Sequence, residues 1–177
     1  FFETGARLGA SQVLVAGNDP DYNRFCDNFA ELCEIAHPYG LTLNVEPMPW
    51  CDIATVKQAG DAMKRVNRPN AGVLVDPIHF FRADNRFEDI DSLPAGSLHY
   101  CQMCDITAER PKDMDGILYQ ARNFRLSPGT GAADLKTLLK HLPGLPISIE
   151  ACNAELALTL SPLDRARMYL EDMVAVL

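Results

Sequence analysis

Four short segments end alike. LTLNVE closes on Glu46, AGVLVD on Asp76, SLHYCQ on Gln102 and PISIE on Glu150. If each is a strand, alternation sets the polar residue on one face and its aliphatic neighbours on the other. Asn44 and Glu46 then oppose Leu43 and Val45, and Ser148 and Glu150 oppose Ile147 and Ile149. A single acidic residue at a strand end is commonly a helix cap or a surface charge. Matching positions in four segments predict one shared site instead. Three carboxylates in a partly dry cavity repel one another, so protons or a cation have to neutralise them. An oxygen-rich set of Glu46, Asp76, Gln102 and Glu150 suits a hard or borderline divalent ion. Mg²⁺ or Mn²⁺ is expected first, and Zn²⁺ and Co²⁺ are compatible with the same donors. Pro47 and Pro49 stop the second strand and stiffen its loop, which sets Trp50 where it can wall a pocket.

These ends need elements to carry them. Strands are expected over 11–17, 41–46, 71–76, 97–104 and 146–150, alternating with helical patterns. Asp19 is expected to cap the first helix with Pro20 at its first position, Phe25, Phe29, Leu32, Cys33 and Ala36 forming its apolar face and Gly40 ending it. Asp52 is expected to cap a second helix with Ile53, Val56, Ala59, Met63 and Val66 on one side. Weaker or shorter helices follow over 86–93, 115–123 and 134–141, and Ser161-Pro162 opens the last. Five repeats of strand and helix imply a parallel sheet with helical crossovers. The first loop, Ala16-Gly17-Asn18-Asp19, lacks the glycines of a dinucleotide-binding turn. Converging polar ends at the carboxyl side of parallel strands favour a TIM-type barrel over an open doubly wound sheet.

The 177 residues fit one domain, 1–177, with a sizeable core. A net charge of −8 opposes binding to nucleic acid or anionic membrane. No apolar run approaches the roughly 20 residues of a membrane helix, and the first residues do not read as a signal peptide. Six cysteines are scattered through apolar segments, which suggests reduced thiols and a cytoplasmic protein. Cys101 and Cys104 form a CxxC inside a strand, where residues three apart face opposite ways, so it reads as packing.

The segments NVEPMPW, LVDPIHFFR, YCQMCD, RLSPGTGAADL and ISIE, in that order, resemble the xylose isomerase-like barrels of the AP endonuclease family 2 superfamily, particularly its sugar phosphate isomerases and epimerases. Asp76-Pro77-Ile78-His79 is the strongest match. The resemblance implies metal ligation by Glu46, Asp76, Gln102 and Glu150. It implies that His79 contacts a substrate oxygen, and it makes Arg110 a candidate contact for an oxyanion or hydroxyl, with Arg125 competing. Gln102 stands where many members have His, and Thr130 where the turn usually carries an acid. Endonuclease IV-like members use additional histidines that this chain, with four, does not supply.

The expected chemistry is divalent-metal-dependent isomerisation or epimerisation of a small sugar, sugar phosphate or hydroxy-ketone through an enediolate. Glu46 and Glu150 are the acid/base pair. A dehydroshikimate-dehydratase-like lyase with the same metal site, or a catalytically inactive partial barrel, are the alternatives. A whole barrel takes roughly 250 residues. The five β/α units here correspond to strands four to eight, with Phe1 to Gly9 as the tail of a preceding helix. An incomplete barrel is therefore expected, completed by a missing N-terminal segment, another chain or self-association.

Overall fold

The computed structural model describes residues 1–177. Five strands, β1 (Gln12–Ala16), β2 (Thr42–Glu46), β3 (Ala71–Val75), β4 (Leu98–Met103) and β5 (Ile147–Ile149), form one parallel sheet in the order β1-β2-β3-β4-β5. Each strand pairs only with its neighbours in sequence, and β1 and β5 each keep one unpaired edge. This is the half-barrel that the alternation of strands and helices predicted. The helices are α1 (Phe2–Arg7), α2 (Tyr22–Ala36), α3 (Val56–Val66), α4 (Pro77–Arg82), α5 (Phe87–Asp91), α6 (Met114–Asn123), α7 (Leu135–Lys140), α8 (Ala154–Thr159) and α9 (Pro162–Val176). No helix is long and apolar enough to cross a membrane.

The core lies between the outer face of the sheet and the helices. Leu43, Val45 and Val73 pack against Phe25, Phe29 and Cys33 of α2 and Ala59 and Met63 of α3. Val75, Cys101 and Met103 pack against Leu135 and Leu138 of α7 and Met173 of α9. Burial of the aliphatic face fixes the register of each strand, because a slip by one residue would turn that face inside out. The polar residues consequently line the inner face.

Two caps differ from expectation. Asp21, not Asp19, caps α2, its Oδ1 accepting from the amides of Asn23 and Arg24. Asp19 is taken up by the Arg24 guanidinium at 2.6 and 2.8 Å and by the Asp21 amide. Thr55, not Asp52, caps α3 through a capping box with Gln58. Ile53 instead packs under Gly17, where an added Cβ would lie 2.6 Å from the isoleucine side chain. Helices α4 and α8 had no expectation behind them, since six residues do not complete two turns of apolar periodicity.

Two departures from regular geometry shape the inner face. The register between β3 and β4 shifts between Val73/Leu98 and Val75/Cys101, so β4 carries one extra residue. Beyond β4, isolated antiparallel bridges join Asp105 to Leu126 and Phe124 to Asn153. Residues 124–126 thus form a strap across the carboxyl ends of β4 and β5.

Candidate metal centre and active site

Glu46 ends β2, and Asp76 follows β3 as the cap of α4, its Oδ1 accepting the Ile78 amide at 2.9 Å. That cap sets the direction of α4 and turns His79 back towards the strand ends. One ligand atom from each of Glu46, Asp76 and His79 lies within 4.8 Å of the others, and all three residues are buried. His79 Nε2 is 3.6 Å from Glu46 Oε1. Gln102 projects from β4 and is 8% exposed. Glu150 follows β5, and its side chain keeps 38% exposure. Asp76 and Glu150 reach the same nitrogen, Nη1 of Arg125, at 2.5 and 3.6 Å. The ends of β3 and β5 therefore meet at one guanidinium. Trp50 meets the His79 ring edge-on, with ring centroids 5.0 Å apart.

Glu46 Oε1 and His79 Nδ1 of this cluster, and Gln102 Oε1 at the end of β4, are buried polar atoms without a hydrogen-bond partner. An orphaned buried polar group costs about 1–3 kcal/mol, so such atoms side by side mark a place built for a ligand. Two of them are oxygen acceptors, and together with the Asp76 carboxylate they are donors of the type that fits a divalent cation. The third has a different use. Arg125 Nη2 lies 3.5 Å from His79 Nε2, and a guanidinium only donates, so Nε2 accepts and the ring proton sits on Nδ1. His79 Nδ1 is thus a free N–H donor, suited to an oxygen of a bound molecule.

Charge is unevenly distributed. Burial, then the Asp76 and Glu150 carboxylates, pushes Glu46 up to about 8. Glu150 is also raised, first by burial. Burial acts upward on Asp76 too, but Arg125, His79 and the Ile78 amide together hold it below the ordinary value. Burial brings His79 down to about 4, leaving a neutral imidazole at pH 7. The site can therefore offer a fixed carboxylate, a carboxyl that holds a proton, an accessible carboxyl and a neutral N–H donor.

Arg110 is not brought to this cluster. Its guanidinium is engaged by Asp84 at 2.6 Å and by the Arg82 carbonyl at 2.7 Å. Arg125 enters instead, carried by the strap. The Arg125 amide donates to the Cys152 carbonyl, and Asn153 Nδ2 donates to the Arg125 carbonyl. Asp105 pins the strap's far side: its carboxylate accepts from the amides of Ile106, Gly129, Gly131 and Ala133 at 2.8–3.0 Å. Gly131 lies against that carboxylate and the Ile106 carbonyl, with no room for a Cβ.

The extra residue in β4 turns one more side chain, His99, to the inner face. Leu98 and Cys101 both face the helices, which leaves His99 and Tyr100 together between them. His99 Nδ1 binds Asn44 Oδ1 at 2.7 Å across Gly72, where a Cβ would overlap both. Burial, then the charges of Glu46 and Glu150, raise Tyr100 to about 12. The broken alternation hid His99, whereas Tyr100 shares the face of Gln102 two residues on. Cys104, whose Sγ lies 3.6 Å from both Asp76 Oδ1 and Arg125 Nη1, was legible only as packing. Cys101 contacts the Pro146 carbonyl, so the CxxC thiols are split as expected, and all six cysteines are free.

The chain is 29% identical over 164 residues to the 3-dehydroshikimate dehydratase of Pseudomonas aeruginosa, covering 86% of this chain and 25% of that protein. It is 33% identical over 120 residues to the inosose isomerase of Bacillus licheniformis, covering 67% of this chain and 41% of that one. The chain thus spans a quarter to two fifths of the length of these curated relatives. Among solved structures, an IolI protein with a bound zinc atom superposes with a TM-score of 0.83 at 25% identity, covering 99% of this chain and 66% of that chain. Residues 2–173 match the family described as xylose isomerase-like TIM barrel, and the chain belongs to that family.

Proposed function

We propose that this chain carries the metal-holding part of a barrel that isomerises or epimerises a small sugar, sugar phosphate or hydroxy-ketone by proton transfer next to a carbonyl. The observation that supports it is the meeting of ligand atoms from Glu46, Asp76 and His79 within 4.8 Å, with Glu46 Oε1 and His79 Nδ1 buried and without a partner. A divalent ion bound there would act as a Lewis acid on a substrate oxygen. Glu46, Asp76, Gln102 and Glu150 would hold it; the oxygen-rich set favours Mg²⁺ or Mn²⁺. The zinc in the IolI structure keeps Zn²⁺ as the main competitor. Glu150, the most accessible of the acids, removes the proton α to the carbonyl. Glu46, the other member of the pair, is the partner that returns one. His79 Nδ1–H steadies a hydroxyl or carbonyl oxygen, and the Trp50 edge walls that side. Five buried thiols that stay free suit a reducing compartment, the cytoplasm.

A dehydratase is the second reading, favoured by the match to a 3-dehydroshikimate dehydratase over 86% of the chain. It shares the first proton abstraction and then expels a hydroxyl. A panel of polyhydroxy ketones, followed both for isomer formation and for loss of water, separates the two. Glu150→Gln should lower turnover of the active substrate by about 10²–10⁴-fold. Full activity in that variant would remove the mechanism, and failure of the wild type to take up any divalent ion would favour an inactive barrel.

A further inference from the structure

Arg125 belongs to no regular element, yet its guanidinium is more fully engaged than any other in the chain. Nε donates to the Ala121 carbonyl at 2.7 Å. Nη1 donates to Asp76 Oδ2 and to the Glu150 carbonyl at 3.1 Å, with Glu150 Oε2 at 3.6 Å. Nη2 faces His79 Nε2. One rigid plane therefore fastens the end of β3, the helix that carries His79 and the end of β5. The main chain behind it is held as well, by the Cys152 carbonyl and Asn153 Nδ2.

Two roles are open to a buried cation here. It could be a plug that fills the site until a metal displaces it, or a bracket that stays and aims the ligands. A plug needs somewhere to swing and few bonds to lose. Arg125 is buried, each of its nitrogens faces an acceptor, and its backbone is tied on both sides. Charge points the same way. Glu46, Asp76 and Glu150, if all ionised, carry three negative charges, and Arg125 leaves two, which one divalent ion neutralises. Asp76 also keeps coordinating capacity, since each carboxylate oxygen offers two lone pairs and the Arg125 contact uses one of those on Oδ2.

We infer that Arg125 is a positioning residue for the metal: it stays in place when the ion binds and fixes the Asp76 carboxylate, His79 and the Glu150 main chain in their binding geometry. The inference rests on the shared metal site proposed above. The test is Mn²⁺ binding to the full-length protein, followed by the electron paramagnetic resonance signal of the free ion. Arg125→Met should weaken Mn²⁺ binding by about 10–100-fold, the usual cost of losing an outer-shell partner. Arg125→Lys keeps the charge but replaces the fork by a point donor, so it should fall between the wild type and Arg125→Met. A Leu138→Ala control, which damages the core under α7, should lower the melting temperature and leave Mn²⁺ affinity unchanged. If Arg125→Met does not fold, Arg125→Lys carries the test, and wild-type affinity in it overturns the inference. Equal or tighter binding by Arg125→Met identifies a displaced plug and overturns it too. Absence of Mn²⁺ uptake by the wild type would remove the metal reading itself, and this inference with it.

Discussion

Glu46 and His79 lie 3.6 Å apart and shift in opposite directions. The folded ion-free protein keeps the Glu46 proton to about pH 8, whereas a carboxyl of ordinary value, 4.5, loses it on unfolding. Folding therefore binds a proton between those values, and stability falls as pH rises through them. His79 acts the other way: it is neutral in the fold down to about 4, while the unfolded imidazole charges below 6.5, so stability rises with pH across that interval. The two slopes oppose each other up to pH 6.5. From there to about 8 Glu46 acts alone, at about 1.4 kcal/mol per pH unit for one full proton. Chemical denaturation of the ion-free protein at pH 6.5, 7.2 and 8 should show this decline, and Glu46→Gln should flatten it. At this scale Glu46, Asp76, Gln102 and Glu150 were legible, because two-residue alternation assigns a side chain to a face without any tertiary information. His99 was not, since one extra residue in β4 reverses that assignment locally. The choice between Arg110 and Arg125 was open in the sequence, because each reaches its partners from irregular chain with no period to read.

The strap over 124–126 and the turn behind it hang on one carboxylate. Asp105 accepts four backbone amides, two on each oxygen. Asp105→Asn keeps the shape but turns one oxygen into a donor facing two amides. It should cost roughly 2–4 kcal/mol in urea denaturation, from two buried donors left without acceptors. Because the strap carries Arg125, the same variant should also weaken divalent-ion binding; a loss of stability with unchanged affinity would separate the strap from the site. Most of the elements themselves were foreseeable. The strands followed from alternation, and α7 and α9 from their caps at Asp134 and Ser161. The start of α3 was also within reach, because Thr55-Val56-Lys57-Gln58 is a capping-box pattern that Asp52 merely precedes. The short α4 is visible only through its cap, Asp76, which also belongs to the candidate metal site.

For the whole molecule, the unpaired edges of β1 and β5 dominate behaviour in isolation. Beside β1, Phe1, Phe2 and Leu8 of the α1 region and Leu14 line an apolar hollow of about 510 Å³. At the other end, Leu163, Leu170 and Val174 leave α9 with a half-exposed apolar side. Open edges and uncovered apolar surface favour pairing with other chains. Produced alone, the 177 residues should show a concentration-dependent mass in sedimentation, lessened by adding the strands that precede them in a longer relative. A monodisperse monomer would show that these edges are closed off locally. The strictly sequential strand order has a wider consequence. Every group proposed to grip the ion arises from one unbroken run of neighbouring units, from β2 to the end of β5. Such a run is a cassette: the remaining wall of the barrel can be remodelled, or joined to other modules, to accept new molecules while the ion-holding apparatus is inherited intact.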